Sequence, residues 1–130
     1  MIDAHHHLWD LGKVCYPWLE AKGVVRFFGD PTPIQRNYLL KEFRENAKVE
    51  GFGASVHIQV GAADPISEAK WIDTVAKSNP DWPLVQVVHC DLTSSTIESD
   101  LDLIQEMPSV RGVRQIVGRS SEEDSKSGTN

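Results

Sequence analysis

Apolar and polar positions along this chain follow two different periods, and the switches between them outline a repeating order of elements. Residues 1–7 begin apolar and continue in alternation, which predicts a short strand running into a polar loop. Leu40, Phe43 and Ala47 fall at helical spacing, so residues 38–49 predict an amphipathic helix stopped at Gly51. Residues 54–60 form a β-rich run closed by Gly61, a second strand. Asp64 and Pro65 supply an N-cap and a first-turn proline to a helix whose apolar face is Ala69, Ile72, Val75 and Ala76. Asn79 and Pro80 stop it. Residues 84–89 are nearly all apolar, as in a strand covered on both faces of a parallel sheet. Ser95 and Glu98 read as a capping box ahead of a face made by Ile97, Leu101 and Ile104, with Pro108 past its end. Residues 110–117 close the series as a fourth strand.

The order is β, long loop, α, β, α, β, α, β. Such alternation predicts an α/β fold of parallel (β/α) units, here four strands and three helices, joined by right-handed crossovers. The long loop, residues 10–37, carries Gly12, Pro17, Gly23, Gly29, Pro31 and Pro33 without sustained periodicity, yet Tyr16, Trp18, Phe27 and Phe28 lie within it. Its aromatic content predicts a packed lid over one end of the core in place of a disordered linker. Residues 118–130 are Ser, Glu, Asp, Lys and Gly rich and predict a mobile polar tail, leaving residues 1–117 as one domain unit.

Composition narrows the function classes. The chain has 130 residues, 40% of them apolar, and a formal net charge of −6. A closed eight-stranded α/β barrel takes about 250 residues and seldom fewer than about 200, so the chain is too short for one. The acidic balance, with no cluster of Lys and Arg, argues against a nucleic acid or an anionic membrane as partner. No apolar run approaches the roughly 20 residues of a spanning helix, and residues 1–10 lack the charged start and apolar core of an export signal. Two cysteines, Cys15 and Cys90, are too few for a disulfide framework. Together these features predict a cytosolic protein with reduced thiols.

The strongest chemical feature is Asp3-Ala4-His5-His6-His7 at the end of the first strand. Alternation places His5 and His7 on one face and His6 on the other. Two imidazoles two residues apart can reach one divalent ion, and Asp3 could orient a ligand. The bland alternative is a solvated terminus, and zinc generally asks for at least three protein ligands. An engineered tag is the poorer explanation because Ile2, Leu8 and Trp9 flank the histidines with strand and core character. His57 lies within a strand and reads first as a hydrogen-bonded core histidine. His89, Cys90 and Asp91 end the third strand, where ligand contacts and loop capping compete. Arg114, in an otherwise apolar strand, must reach an anion or solvent. Asp64 reads as a helix cap, Arg119 as solvated, and Cys90 beside His89 is a weak thiol-nucleophile signal. No glycine-rich phosphate loop is present.

The segments IDAHHHLWD, YPWL, VHIQVGAADPISEAKWIDTVA and VRGVRQIVGR resemble the amino-terminal half of the amidohydrolase-related family, in particular its lactonase branch. That branch includes sugar lactonases similar to L-fuconolactonase and the 2-pyrone-4,6-dicarboxylate lactonases. The resemblance implies about half of a (β/α)8 TIM-type barrel and a hydrolase that opens a lactone by water attack on the carbonyl. It implies His5 and His7 as ligands of a divalent metal, zinc by preference, although the branch is uneven in metal use and the pair would otherwise touch substrate directly. Arg114, His89 and Trp18 then count as contacts to a small lactone or carboxylate substrate. The family's mid-barrel histidine and the water-activating aspartate of its last strand have no counterpart in these four strands, so no catalytic set is complete. Two alternatives stand beside it: a non-catalytic half-barrel that associates with itself or a partner through its open sheet edges, and a self-contained metal protein using His5, His7 and His89.

Overall fold

The computed structural model describes residues 1–26 and 28–116. Four strands form a single parallel sheet in chain order: β1 (Ile2–His6), β2 (Ala54–Ile58), β3 (Leu84–His89) and β4 (Val110–Arg114). Between them lie α1 (Pro17–Glu20), α2 (Leu40–Val49), α3 (Pro65–Ser78) and α4 (Ile97–Gln105), with a 3-10 turn at Thr32–Ile34. The α/β class and the half-barrel order therefore stand, with four helices in place of three. The additional helix is one turn started by Pro17, whose fixed φ suits a first helical position. It is too short to leave a periodic trace.

Each long helix forms for reasons visible in its residues. Asp64 caps α3 by accepting from the Ile66 amide (3.0 Å) and the Ser67 hydroxyl (2.5 Å), ahead of Pro65 in the first turn. α2 buries Leu40, Phe43 and Ala47, the three residues at helical spacing. The capping box expected at Ser95 and Glu98 is absent: α4 starts one residue later than that box requires, its N-cap is Thr96, and that hydroxyl donates to Asp100 (2.9 Å) within the helix. Of the expected α4 face, Ile104 is buried against Ala69, Val88, Cys90 and Met107 while Leu101 is exposed. The expected extension of β4 to Val117 and the polar tail lie outside the described residues.

All three long helices pack on one face of the sheet. One cluster joins Leu40, Phe43 and Ala47 of α2 and Trp71 and Ile72 of α3 to Leu84 of β3, Trp82, and Leu8, Val14, Tyr16 and Leu19 of the loop segment. A second joins Ala69 of α3 and Ile104 of α4 to Val88, Cys90 and Met107. β3 shows the polarity of the sheet: Leu84, Gln86 and Val88 are buried toward the helices, and Val85, Val87 and His89 are half-exposed on the other face. Val14, Tyr16 and Leu19 of the long loop are core, and Trp9 bridges Tyr38 across the loop in antiparallel fashion.

Candidate active site

In a parallel α/β sheet the carboxyl ends of the strands gather the groups that loops and helices leave free. Here those ends carry His5, His6 and His7 from β1, Gln59 and Val60 after β2, His89, Cys90 and Asp91 from β3, and Arg114 and Gln115 from β4.

His6 pairs in register with His57, and both are buried on the helix side. The His6 ring stacks on Phe43 of α2 at 4.0 Å, and His57 meets it edge-on at 5.8 Å. His57 Nε2–H donates to the Leu8 carbonyl (3.3 Å). Burial lowers the His6 pKa to about 4 and the His57 pKa to about 3, so both rings are neutral near pH 7. The core reading of His57 stands.

His5 and His7 project to the other, open face, their rings 5.1 Å apart and nearly perpendicular. His7 Nδ1–H donates to the Ile58 carbonyl (2.8 Å), which fixes the tautomer and leaves the Nε2 lone pair free. Burial, and beyond it the neighbouring His5 and Arg114 charges, hold His7 below the usual histidine pKa. A neutral, oriented imidazole beside a second one fits two positions of a divalent metal site. Among the described residues no group of three or more His, Cys, Asp or Glu is placed to hold a metal ion. The three-histidine set with His89 is therefore corrected: β3 is separated from β1 by β2, and two strand spacings amount to about 10 Å. Asp3 does not orient a ring either. A register shift between Asp3 and His6 breaks the two-residue alternation, and Asp3 Oδ1 accepts from the His5 amide (3.0 Å).

His89 and Arg114 are register partners on the same open face, His89 two strands and Arg114 three strands along the sheet from β1. The Arg114 Nε is buried without a hydrogen-bond partner, a donor left for an anion. Trp18 is half-buried, donates its indole N–H to the Val60 carbonyl (2.6 Å), and stands edge-on to Trp9 at 6.3 Å. Its polar atom is committed to the backbone, so what it offers a ligand is apolar surface. Gly61 allows this placement, with φ +81° and a position where a Cβ would stand 3.3 Å from the Trp18 ring.

The remaining candidates serve the scaffold. Asp91 accepts from the Thr93 amide (2.9 Å) and hydroxyl (2.7 Å) and from the Gln115 amide group (2.9 Å), pinning the loop after β3 to the end of β4. Cys90 is buried, and burial followed by the Asp100 and Asp91 charges pushes its thiol pKa up, away from a nucleophilic thiolate. Glu68 went unmarked in the sequence. It is 2% exposed and accepts from the Val60 amide (3.1 Å) and the Tyr16 hydroxyl (3.3 Å). The available signal was its place on the same helical face as Ile72 and Val75.

No family model matches the chain. It is 35% identical over 117 residues to the uncharacterized protein y4mH of Sinorhizobium fredii, covering 88% of this chain and 39% of that protein. A solved structure of similar fold is a probable 2-pyrone-4,6-dicarboxylic acid hydrolase from Acinetobacter baumannii with citric acid bound, at a TM-score of 0.56 and 13% identity. The match spans 98% of this chain and 44% of that one, so the chain covers less than half the length of either protein. The likeness shows the fold. No helix among the described residues is long and apolar enough to cross a membrane.

Proposed function

We propose that these four (β/α) units are the amino-terminal half of a hydrolase that opens a lactone by water attack on its carbonyl. The observation that carries this reading is the His5 and His7 pair, 5.1 Å apart on the open face, with His7 held so that Nε2 is free. The pair would hold two positions of a divalent ion, zinc by chemical preference, which when bound polarises a carbonyl or acidifies water. The chain's own residues do the rest of what half a site can do. The Ile58 carbonyl orients His7, burial keeps that ring neutral, and Arg114 offers its Nε to a substrate carboxylate. Trp18 supplies an apolar wall, and His89 flanks Arg114. Citric acid in the solved neighbour supports a carboxylate-bearing ligand.

The water-activating aspartate that the resemblance implies belongs to a strand beyond these four, so the 130-residue chain is expected to hydrolyse lactones weakly or not at all. Calorimetric titration with Zn²⁺ should show binding that the His5→Ala/His7→Ala double variant loses, and Arg114→Gln should weaken citrate binding while leaving Zn²⁺ binding in place. Zinc binding unchanged in the double variant contradicts the reading. So does robust lactone turnover by this chain in a pH-stat assay.

A second reading rests on the sheet edges. β1 and β4 each have an unpaired side among the described residues, with Ile2, Val113 and Ile116 exposed there. In it the chain is a non-catalytic half-barrel that pairs with a second copy. Light scattering after size exclusion distinguishes the two, since a monomer across a range of concentrations argues against pairing.

A further inference from the structure

Glu68 stands in the early turns of α3, on the face that meets the sheet, and has no ion-pair partner among the described residues. It joins two elements. Its Oε1 accepts from the Val60 amide (3.1 Å), just beyond β2, and from the Tyr16 hydroxyl (3.3 Å) at the head of α1. Further bonds fasten the same segment to the same strand end: Trp18 Nε1–H to the Val60 carbonyl (2.6 Å) and the Ala63 amide to the Cys15 carbonyl (2.9 Å). The Leu19 and Glu20 amides close the segment on the Tyr16 carbonyl, both at 2.9 Å.

We propose that Glu68 is a proton-operated latch: neutral, it holds residues 15–20 against the end of β2, and its ionisation loosens that segment while the sheet stays formed. The titratable and charged groups facing it are Tyr16 from the segment, Arg114 from β4 and, acting through Tyr16, Asp10 from the preceding loop. A carboxylate buried without a cation is unfavourable, and burial raises the Glu68 pKa to about 7 even though the Val60 amide, the Tyr16 hydroxyl and the Arg114 charge pull it down. The positive end of α3 also favours the charged form, by less than burial opposes it.

Opening the segment hydrates Glu68 and returns it to the ordinary range near 4.5. The open form then gives up its proton at lower pH than the closed one, so the open-to-closed ratio rises with pH, by roughly 30-fold between pH 5.5 and 8.5. This inference concerns the ligand-free chain and stands apart from the hydrolase reading.

Native-state amide exchange of the full chain tests it, with rates corrected for intrinsic pH dependence. The Leu19, Glu20 and Ala63 amides should exchange through a smaller opening than Gln59 and Gln86 in the sheet, and their protection should fall by about 30-fold from pH 5.5 to 8.5. Glu68→Gln, which keeps an acceptor and cannot ionise, should flatten that pH dependence. The Glu68 carboxyl ¹³C shift in the unmodified chain gives a readout that needs no variant and should titrate near pH 7. Tyr16→Phe should raise that midpoint, because the hydroxyl favours the charged form. Titration in the ordinary carboxyl range, exchange of the three amides at the sheet's rate at every pH, or pH dependence that persists in Glu68→Gln overturns the proposal.

Discussion

His57→Gln is the substitution that most sharply tests how the core handles its buried histidines. The His57 ring is 1% exposed, and its native pKa is about 3 against 6.5 for an ordinary histidine. Below pH 6.5 the unfolded chain takes up a proton at this position and the native chain does not. The stability that the neutral ring provides is therefore complete above pH 6.5 and is lost as pH falls toward 3. Linkage puts the loss between pH 7.5 and 4.5 at about 3 kcal/mol for this residue alone, a large share of a typical domain's stability. His6, with a native pKa of about 4, acts in the same direction, and Glu68 in the opposite one, since its raised pKa favours the native state at lower pH. The difference between the native chain and His57→Gln isolates the one group. Glutamine retains a donor for the Leu8 carbonyl, so the variant is expected to fold with a stability deficit at pH 7.5. Urea unfolding followed by circular dichroism at pH 7.5, 6.5, 5.5 and 4.5 should show that deficit shrinking by about 3 kcal/mol as pH falls. A deficit constant within about 0.5 kcal/mol refutes the reasoning, because it means that His57 takes up its proton equally in both states.

Two structural predictions accompany it. Ile72, fully buried between α3 and the sheet, should cost about 2–5 kcal/mol when changed to Ala, read as a lower urea midpoint with an unchanged slope. Gly61→Ala forces a side chain into positive φ and against the Trp18 ring, so a loss of about 1–2 kcal/mol and a shift in tryptophan emission are expected; unchanged emission would show that Trp18 does not lie on Gly61.

The helical spacing of Leu40, Phe43 and Ala47, the Asp64-Pro65 start of α3 and the apolar run of β3 made the architecture legible, because each pattern follows from burial on one face. Alternation also separated His6 from His5 and His7 correctly. The register shift after Asp3 was not legible, since it lies in the ladder hydrogen bonds and leaves no trace in side-chain polarity. Thr96 displaced Ser95 as the cap of α4 because several hydroxyl residues in a row offer equivalent starts. Glu68 shares the helical face of Ile72 and Val75, but its partner Tyr16 lies 52 positions away, a pairing that local periodicity does not carry.

The proposed function rests on His5 and His7 as an oriented pair of ligand-competent imidazoles at the end of β1. Long-range ¹H–¹⁵N spectra of the histidine side chains, recorded during a Zn²⁺ titration near pH 7.5, examine it directly. His7 should be protonated on Nδ1 before zinc is added, with selective shifts of the His5 and His7 nitrogens on zinc addition and undisturbed His6 and His57 rings. A His7 ring protonated on Nε2, or zinc shifts that bypass His5 and His7, would contradict it.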